Sequence, residues 1–331
     1  MPLIDNLTKR LSGLAAGLVI AVGCAPIAAT AATYPERPVR VIVPFGVGGA
    51  ADVIIRVVAE QLSRELGQPF VVENRPGAGG TIGTEALARA KADGYTIGIG
   101  SVSTHATSVS LYPNLSYDPR TDFAPIYRLA AIPNVMVVTP SLGVRTMREL
   151  VERAREKPGQ LNFGSNGNGT SQHLGGELFK MRNGVDIVHV PYRNIGGMIT
   201  DLIGGEVQVA FDNLPNVMGH VKAGRLVGLG VTTKDRWPDL PEVPTYAEAG
   251  VADFDIASWI GIFAPAATPE AVTGTLEAGV ARIMQSEEVL ATIRKAGAEP
   301  RPAGAGELAR HVDAEIERWA QVVKASNAKL D

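Results

Sequence analysis

Residues 39–56 read VRVIVPFGVGGAADVIIR, and this stretch decides the fold. Val39, Val41, Ile42 and Val43 form a β-branched run too apolar for a half-exposed strand, which predicts a strand buried on both faces. Pro44 ends it, because proline has no N–H to give to a ladder. Gly46, Gly48 and Gly49 let the backbone turn sharply and leave its N–H groups uncovered. Ile55, Val58, Leu62 and Leu66 then recur at spacings of three and four, the signature of one helix face. A glycine turn feeding a helix N-terminus is an anion site, since free N–H groups and the positive end of the helix dipole point the same way.

Working outward, the pattern repeats. Residues 68–73 (QPFVVE) read as a second strand, 74–80 (NRPGAGG) as another glycine-rich turn, and 81–92 as a helix ending at Asp93-Gly94. Residues 95–99 form a third strand, with Ser101 to His105 after its carboxyl end. Strand, helix, strand, helix, strand predicts a parallel sheet with right-handed crossovers, its loops gathered on one ligand-binding edge. Residues 111–125 read as a proline-rich loop pinned by aromatics, 135–138 as a short strand ended by Pro140, and 146–156 as a helix.

A second set of αβ units follows. Residues 161–163 are a strand and 164–169 (GSNGNG) a glycine turn; Thr170 or Ser171 is a good N-cap for a helix carrying Leu174, Leu178 and Met181. Residues 187–192, 207–211 and 226–231 read as strands, with Asp212 at a carboxyl end, and 198–203 as a short helix stopped by Gly204-Gly205. Residues 254–265 are an apolar return crossing. Helices over 271–285 and 288–295 precede an amphipathic one marked by Leu308, Val312, Ile316, Trp319 and Val323. The expectation is an α/β chain of two similar modules. The second is entered near Val135 and left near Trp259, and the C-terminal helices pack on the first.

The chain has 331 residues, room for two domains, and a net charge of −3, which gives no reason to expect nucleic acid or an anionic membrane surface. Lys9 and Arg10 followed by an apolar, alanine-rich segment and Ala29-Thr30-Ala31 predict an export signal over residues 1–32. That places the mature chain in the periplasm. Val22-Gly23-Cys24 resembles a lipoprotein signal, but Ala21 sits where a larger aliphatic is usual, so a lipid anchor at Cys24 is the less favoured reading. Cys24 is the one cysteine, so if it leaves with the signal no thiol chemistry remains.

Gly46, Gly48 and Ala51 fit a relaxed dinucleotide fingerprint, and Glu73 stands where a ribose-binding acid would be. An exported chain rarely meets free nicotinamide cofactor, so an oxidoreductase is the alternative rather than the expectation, and no cofactor is expected. No Gly-Lys-Ser/Thr follows either glycine turn. The five histidines, His105, His173, His189, His220 and His311, show no metal-binding spacing, and there is no G-x-S-x-G elbow, so neither a metal nor catalysis is expected. Asp212, His173 and His105 are better read as anchoring or packed groups than as catalysts. What remains is binding: two glycine turns at helix N-termini, each with Ser and Thr beside it, suit carboxylate oxygens.

Several long motifs in order carry a resemblance. They are YPERPVRVIVPF (34–45), VVENRPGAGG (71–80), DGYT (93–96), LNFGSNGNGTSQHLGGELF (161–179), VDIVHVPY (185–192), FDNLP (211–215) and PEVPTYAEAG (241–250). The chain resembles the extracytoplasmic solute-binding proteins of tripartite tricarboxylate transporters over nearly the whole mature chain. The resemblance implies a periplasmic binding protein type II-like fold, two αβ domains joined by a two-strand hinge. Domain 1 is then 33–134 with 259–331, and domain 2 is 135–258. It implies a small carboxylate held by backbone and hydroxyl groups. Carried over, these fall at Gly46, Val47, Gly48, Gly49 and Ala50; at Ser103, Thr104 and His105; at Ser165, Asn166, Gly167, Asn168, Gly169 and Thr170; and at Asp212. Partners are two integral membrane transporter subunits, or, in an alternative, a membrane sensor; the binding protein itself is expected to be a monomer. The chain departs from the family pattern at Gly46-Val47, Ser108-Val109 and Arg193-Asn194, which bears on ligand identity; Arg193 could meet a second carboxylate.

Overall fold

The computed structural model describes residues 34–326 apart from 252, 253 and 255; the expected signal segment 1–32, with Cys24, lies outside the described residues. The opening stretch folds as its pattern requires. Strand β1 (Val39–Val43) is buried along nearly its whole length, and α1 (Ala50–Leu66) buries Ile54, Ile55, Val58 and Leu62 on one face. β2 (Phe70–Asn74), α2 (Thr81–Ala88) and β3 (Thr96–Gly100) complete the first unit, with β1 parallel to both neighbours. The helix over 81–92 is shorter than expected. After β3 the chain coils instead of looping: a single π-helical turn over Ser103–Thr107 runs into α3 (Ser108–Leu111).

The largest departure is β4 (Phe123–Val138), 16 residues where a short strand over 135–138 was expected. Pro125 and Pro133 read as breakers. In the sheet Pro125 stands at a register shift, where the ladder is already interrupted; a second shift lies between Arg128 and Ala130, and Pro133 is the last residue paired with β9. The second unit holds α4 (Met147–Glu156), β5 (Asn162–Ser165), α5 (Ser171–Asn183), β6 (Val188–Pro191) and α6 (Ile195–Gly204). It continues through β7 (Val209–Asn213), α7 (Leu214–Lys222) and β8 (Val227–Val231). The sequence reading missed α7, which starts with proline at its first turn, and the first three residues of α6. β9 (Ala257–Pro265), α8 (Glu270–Ile283), α9 (Glu287–Lys295), β10 (Glu299–Gly304) and α10 (Ala305–Ser326) follow. β10, with two prolines, is an unanticipated edge strand on β4.

The strand path is β2-β1-β3-β9-β4-β7-β5-β6, with β8 and β10 both on β4. β4 is therefore the shared element. Up to Pro133 it pairs antiparallel with β9, and from Asn134 it pairs with β7. β5 lies parallel to β6 and β7, so their carboxyl ends share one edge. α8 packs on α1, as expected of a C-terminal helix returning to the first unit. α10 does more: it packs on the turn after β3 and also on α5 of the second unit. Leu308, Val312, Ile316, Trp319 and Val323 join one apolar cluster with residues of both units, including Phe123, Phe263, Phe163 and Phe179.

Candidate functional site

The loop after β1 is held from below by a buried acid. Asp52, in the first turn of α1, is 2% exposed. Its carboxylate accepts from the Gly48 N–H at 2.9 Å, from Arg56 Nε at 3.0 Å and from Asn74 Nδ2 at 2.8 Å. Asn74 Nδ2 also donates to the Phe45 carbonyl at 3.0 Å, so the end of β2 and the start of α1 clamp the loop between them. Burial opposes ionisation of Asp52, but these donors outweigh it and hold the acid below the usual carboxylate range. With its oxygens so occupied, Asp52 shapes the loop instead of meeting an anion. Gly49 is the N-cap of α1 and supplies no side-chain cap, which leaves the first turn of that helix without a side-chain acceptor. Val47 stands at the tip, 77% exposed.

The loop after β5 is ordered by its own hydroxyls. Ser165 Oγ lies 2.7 Å from His189 Nε2 and accepts the Gly167 N–H at 3.2 Å. Thr170 caps α5 by accepting the His173 N–H, and its hydroxyl donates to the Gly167 carbonyl at 2.8 Å. The Gly169 N–H donates to His173 Nδ1, which requires that nitrogen to be unprotonated. The His173 and His189 rings stack with centroids 4.1 Å apart. Burial, with the nearby Lys180, pushes His173 down to about 4; burial, with His173 and Lys180, pushes His189 down to about 3. Both rings are therefore neutral at pH 7, and this loop offers hydroxyls and N–H groups, with no cationic histidine.

Of the residues expected after β3, Thr104 and His105 turn inward. Thr104 Oγ1 accepts the Ser101 N–H, and His105 is wholly buried with its ring 4.2 Å from that of Phe263 and 4.7 Å from that of Phe123. Burial pushes His105 down to about 3. It packs the base of the site and offers no charge to a ligand. Ser103 is buried too, its hydroxyl 3.2 Å from that of Ser101.

The two sets of loops face each other closely. A methyl group at Gly49 would lie 3.3 Å from Ile195 Cδ1, and one at Gly79 would lie 2.6 Å from the Asn168 carbonyl oxygen. Gly79 also has φ +65°, so glycine serves there both for close approach and for backbone conformation. Thr107 Oγ1 donates to the Gly169 carbonyl at 2.6 Å. At the carboxyl end of β7, Asp212 is wholly buried; its Oδ1 accepts from the Asn213 N–H and Asn216 Nδ2, while Oδ2 has no partner. Burial pushes Asp212 up to about 7, against the lowering influence of Asn216, the Asn213 N–H and Gln172.

Residues 54–328 match the family model for the tripartite tricarboxylate transporter family receptor. The chain belongs to that receptor family. It is 37% identical to Protein BugT of Bordetella pertussis over 326 residues, covering 98% of this chain and 99% of the other. Among solved structures it is similar to Rpa4515 of R. palustris, solved with adipate, at 41% identity and a TM-score of 0.86, with 90% of this chain and 100% of the other covered. MatC of Rhodopseudomonas palustris, solved with bound malate, is 32% identical with a TM-score of 0.83, covering 88% and 100%.

Within this receptor fold, the departures have clear local roles. Asn194 caps α6 through the Gly197 N–H, a signal readable in Asn194 three residues before a helical glycine. Arg193 is exposed and makes no ion pair among the described residues. Ser108 Oγ donates to the Thr104 carbonyl. Glu73, the would-be ribose acid, is instead paired with Arg75 and Arg40. Among the described residues no group of histidines, cysteines and acids could hold a metal ion, and no helix is long and apolar enough to cross a membrane. Sequence reasoning did not single out Asn74, Thr107 and Ile195, which border the two loops.

Proposed function

We propose that this receptor is exported to the periplasm, takes a small carboxylate between the loop after β1 and the loop after β5, and delivers it to a membrane transporter of two integral subunits. The reading rests above all on one arrangement in a chain of this family: the uncapped start of α1 opposite a loop of hydroxyls and N–H groups with no cation. Such a surface suits a carboxylate bound by many neutral donors. A helix dipole contributes only ~0.3–1 kcal/mol, up to ~2 when partly buried, while micromolar affinity needs about −8 kcal/mol. Backbone hydrogen bonds and closure of the two units around the ligand supply the rest.

The ligand groups are the backbone of residues 46–50, Ser103, residues 165–170 and Asp212, with Thr104 and His105 supporting them. Domain 1 comprises 33–134 and 259–331, domain 2 comprises 135–258, and β4 and β9 are the hinge. The protein acts as a monomer and performs no catalysis. Relatives solved with malate and with adipate support a dicarboxylate of that size range as ligand.

Thermal denaturation of the mature protein against a panel of mono-, di- and tricarboxylates, acidic amino acids and aromatic acids tests this. A ligand at a hundred times its Kd stabilises by about 2.7 kcal/mol, a shift of several degrees. No shift with any carboxylate overturns the proposal.

A further inference from the structure

A cavity of about 1020 Å3 opens where β4 passes from β9 to β7. Ala131 and Pro133 of β4 and Ala257 of β9 line it from the sheet. One wall is the segment after β8, residues 232–239; another is the end of α9 and the start of β10, residues 294–295 and 299–301. The walls therefore come from both units. None of the lining residues belongs to the loops after β1, β3, β5 or β7, where the carboxylate is placed above. In the turn between α9 and β10, a methyl group at Gly297 would lie 3.0 Å from Pro215 Cα of α7, so the two units also touch next to this groove.

The lining is apolar within and charged at the rim. Trp237, Tyr246 and Phe254 are buried, and the last two rings stack with centroids 4.6 Å apart; Val251, Pro238 and Pro300 add to the apolar surface. Most of the charges at the rim are already neutralised. Arg236 pairs with Glu248, Arg294 with Glu287, Arg301 with Glu299, and Asp239 with Lys222. Lys234 on one wall and Lys295 on the other are exposed and make no ion pair among the described residues. Asp235 is the lining acid in the same state, so the free charges sum to one positive, with a lysine on each wall. Trp237 adds an unmet donor, since its Nε1 is buried without an acceptor. Buried donors are almost always paired, so an acceptor-bearing ligand suits this lining better than a donor-bearing one.

Small-molecule sites are concave, mostly apolar, and roughly 300–1,000 Å3 in volume, and this groove stands at the top of that range. A protein partner would instead need about 800 Å2 of surface on each side. A short polar acid would leave the aromatic and proline lining uncovered, and a plain hydrocarbon would leave the two lysines unmet. We propose that the groove is a second binding site, for one amphipathic anion: an aromatic or medium-chain acyl body carrying a single carboxylate or sulfonate head. The body lies against Pro133, Tyr246 and Phe254, and the head meets Lys234 or Lys295.

Fluorescence titration of the mature protein with anilinonaphthalene sulfonate tests it, with displacement by decanoate and by decanol, which has the same tail without the charge. The expected result is saturable binding of one probe per chain, with decanoate displacing it at about tenfold lower concentration than decanol. The double variant Lys234→Glu, Lys295→Glu changes only exposed side chains, so it keeps the fold and weakens probe and decanoate by about tenfold or more. Ala131→Trp fills the groove and abolishes binding; where that variant fails to fold, the lysine variant decides. Gly167→Val distorts the loop after β5 and leaves probe binding unchanged, which separates this site from the cleft. No saturable binding overturns the proposal. Equal displacement by decanoate and decanol overturns the anion and makes the groove a purely apolar site. Unchanged binding in the lysine variant, or loss of the probe in Gly167→Val, overturns the placement. Failure of the carboxylate screen above does not bear on these readouts, so the two proposals fail separately.

Discussion

Thr107 Oγ1 donates a 2.6 Å hydrogen bond to the carbonyl of Gly169, 62 residues along the chain, in surroundings that leave Thr107 wholly buried. The bond ties the coil after β3 to the loop after β5. Gly169 has φ +78°, and a methyl group there would lie 2.9 Å from Leu111 Cδ1, so the two segments meet with no room for a side chain. Thr107→Val keeps the shape and deletes the donor, leaving a buried carbonyl unpaired at a cost of about 1–3 kcal/mol. If the contact belongs to the ligand-closed form, calorimetry should find ligand affinity weaker by roughly tenfold, with a smaller loss in melting temperature of the free protein.

The Asp52, Asn74 and Arg56 cluster sets the loop after β1. Asn74→Ala removes the donor shared by Asp52 and the Phe45 carbonyl. The expected loss is about 1–2 kcal/mol of stability, together with weaker ligand binding, because the loop loses the clamp that fixes its N–H groups. Chemical denaturation reads the first and calorimetry the second. Unchanged affinity would show that the loop's shape does not depend on this clamp.

The alternation and spacing of apolar residues carried β1, α1, β3, α4, α5 and α10, because those elements bury one consistent face. The two glycine turns were legible because each holds positions, Gly48 in one and Gly167 and Gly169 in the other, whose positive φ favours glycine. What the sequence hid was decided by tertiary context. β4 runs through two prolines: at Pro125 a register shift frees the ladder of the missing N–H, and Pro133 is the last residue paired with β9, where the strand changes partner. Asp52 stands in the first turn of α1, and only the fold reveals that Asn74, 22 residues on, donates to it. His105 carried the look of a site residue, but its ring is filled in by Phe123 and Phe263. The return of α10 across both units could not be read from its own amphipathic face, which says how much it buries and not against what.

Gly167 has φ +103°, a conformation a β-branched residue resists. Gly167→Val should distort the loop that Ser165 and Thr170 brace and reduce affinity by roughly a hundredfold or more, if the strain of about 1–3 kcal/mol adds to lost backbone approach. Arg193→Ala is the control for charge. Arg193 is exposed and without an ion pair among the described residues, so its removal should leave monocarboxylate binding unchanged and weaken only ligands with a second carboxylate. Wild-type affinity in Gly167→Val would remove the second loop from the site.

Glu315 of α10 joins β9 to the C-terminal helix. It accepts from Trp259 Nε1 at 3.1 Å and Trp319 Nε1 at 2.9 Å, and Arg318 Nε donates to its other oxygen. Glu315→Ala leaves two buried indole N–H groups unpaired, an expected loss of about 2–5 kcal/mol. Glu315→Gln keeps an acceptor and should cost less than half as much. Thermal denaturation of the two variants measures the difference; equal losses would show that charge, and not hydrogen bonding, is what the indoles require.

Asp212 gives the free protein a pH dependence of stated sign. Burial raises its pKa in the fold to about 7, against an ordinary aspartate value of about 3.9 in the unfolded chain. Between those values the folded protein holds a proton that the unfolded chain has released. Stability therefore falls as pH rises through this window and levels off above it. His105, His173 and His189 act in the opposite sense, because their depressed values favour the fold as pH rises toward their unfolded value. They are present in wild type and in Asp212→Asn alike, so the difference between the two isolates the aspartate. Measured by denaturation from about pH 4 to pH 8, the variant should gain steadily on the wild type as pH rises, by an amount on the order of a few kcal/mol at the upper end. A constant difference across that range would mean that Asp212 is ionised throughout, with a donor supplied to Oδ2 even in the free protein.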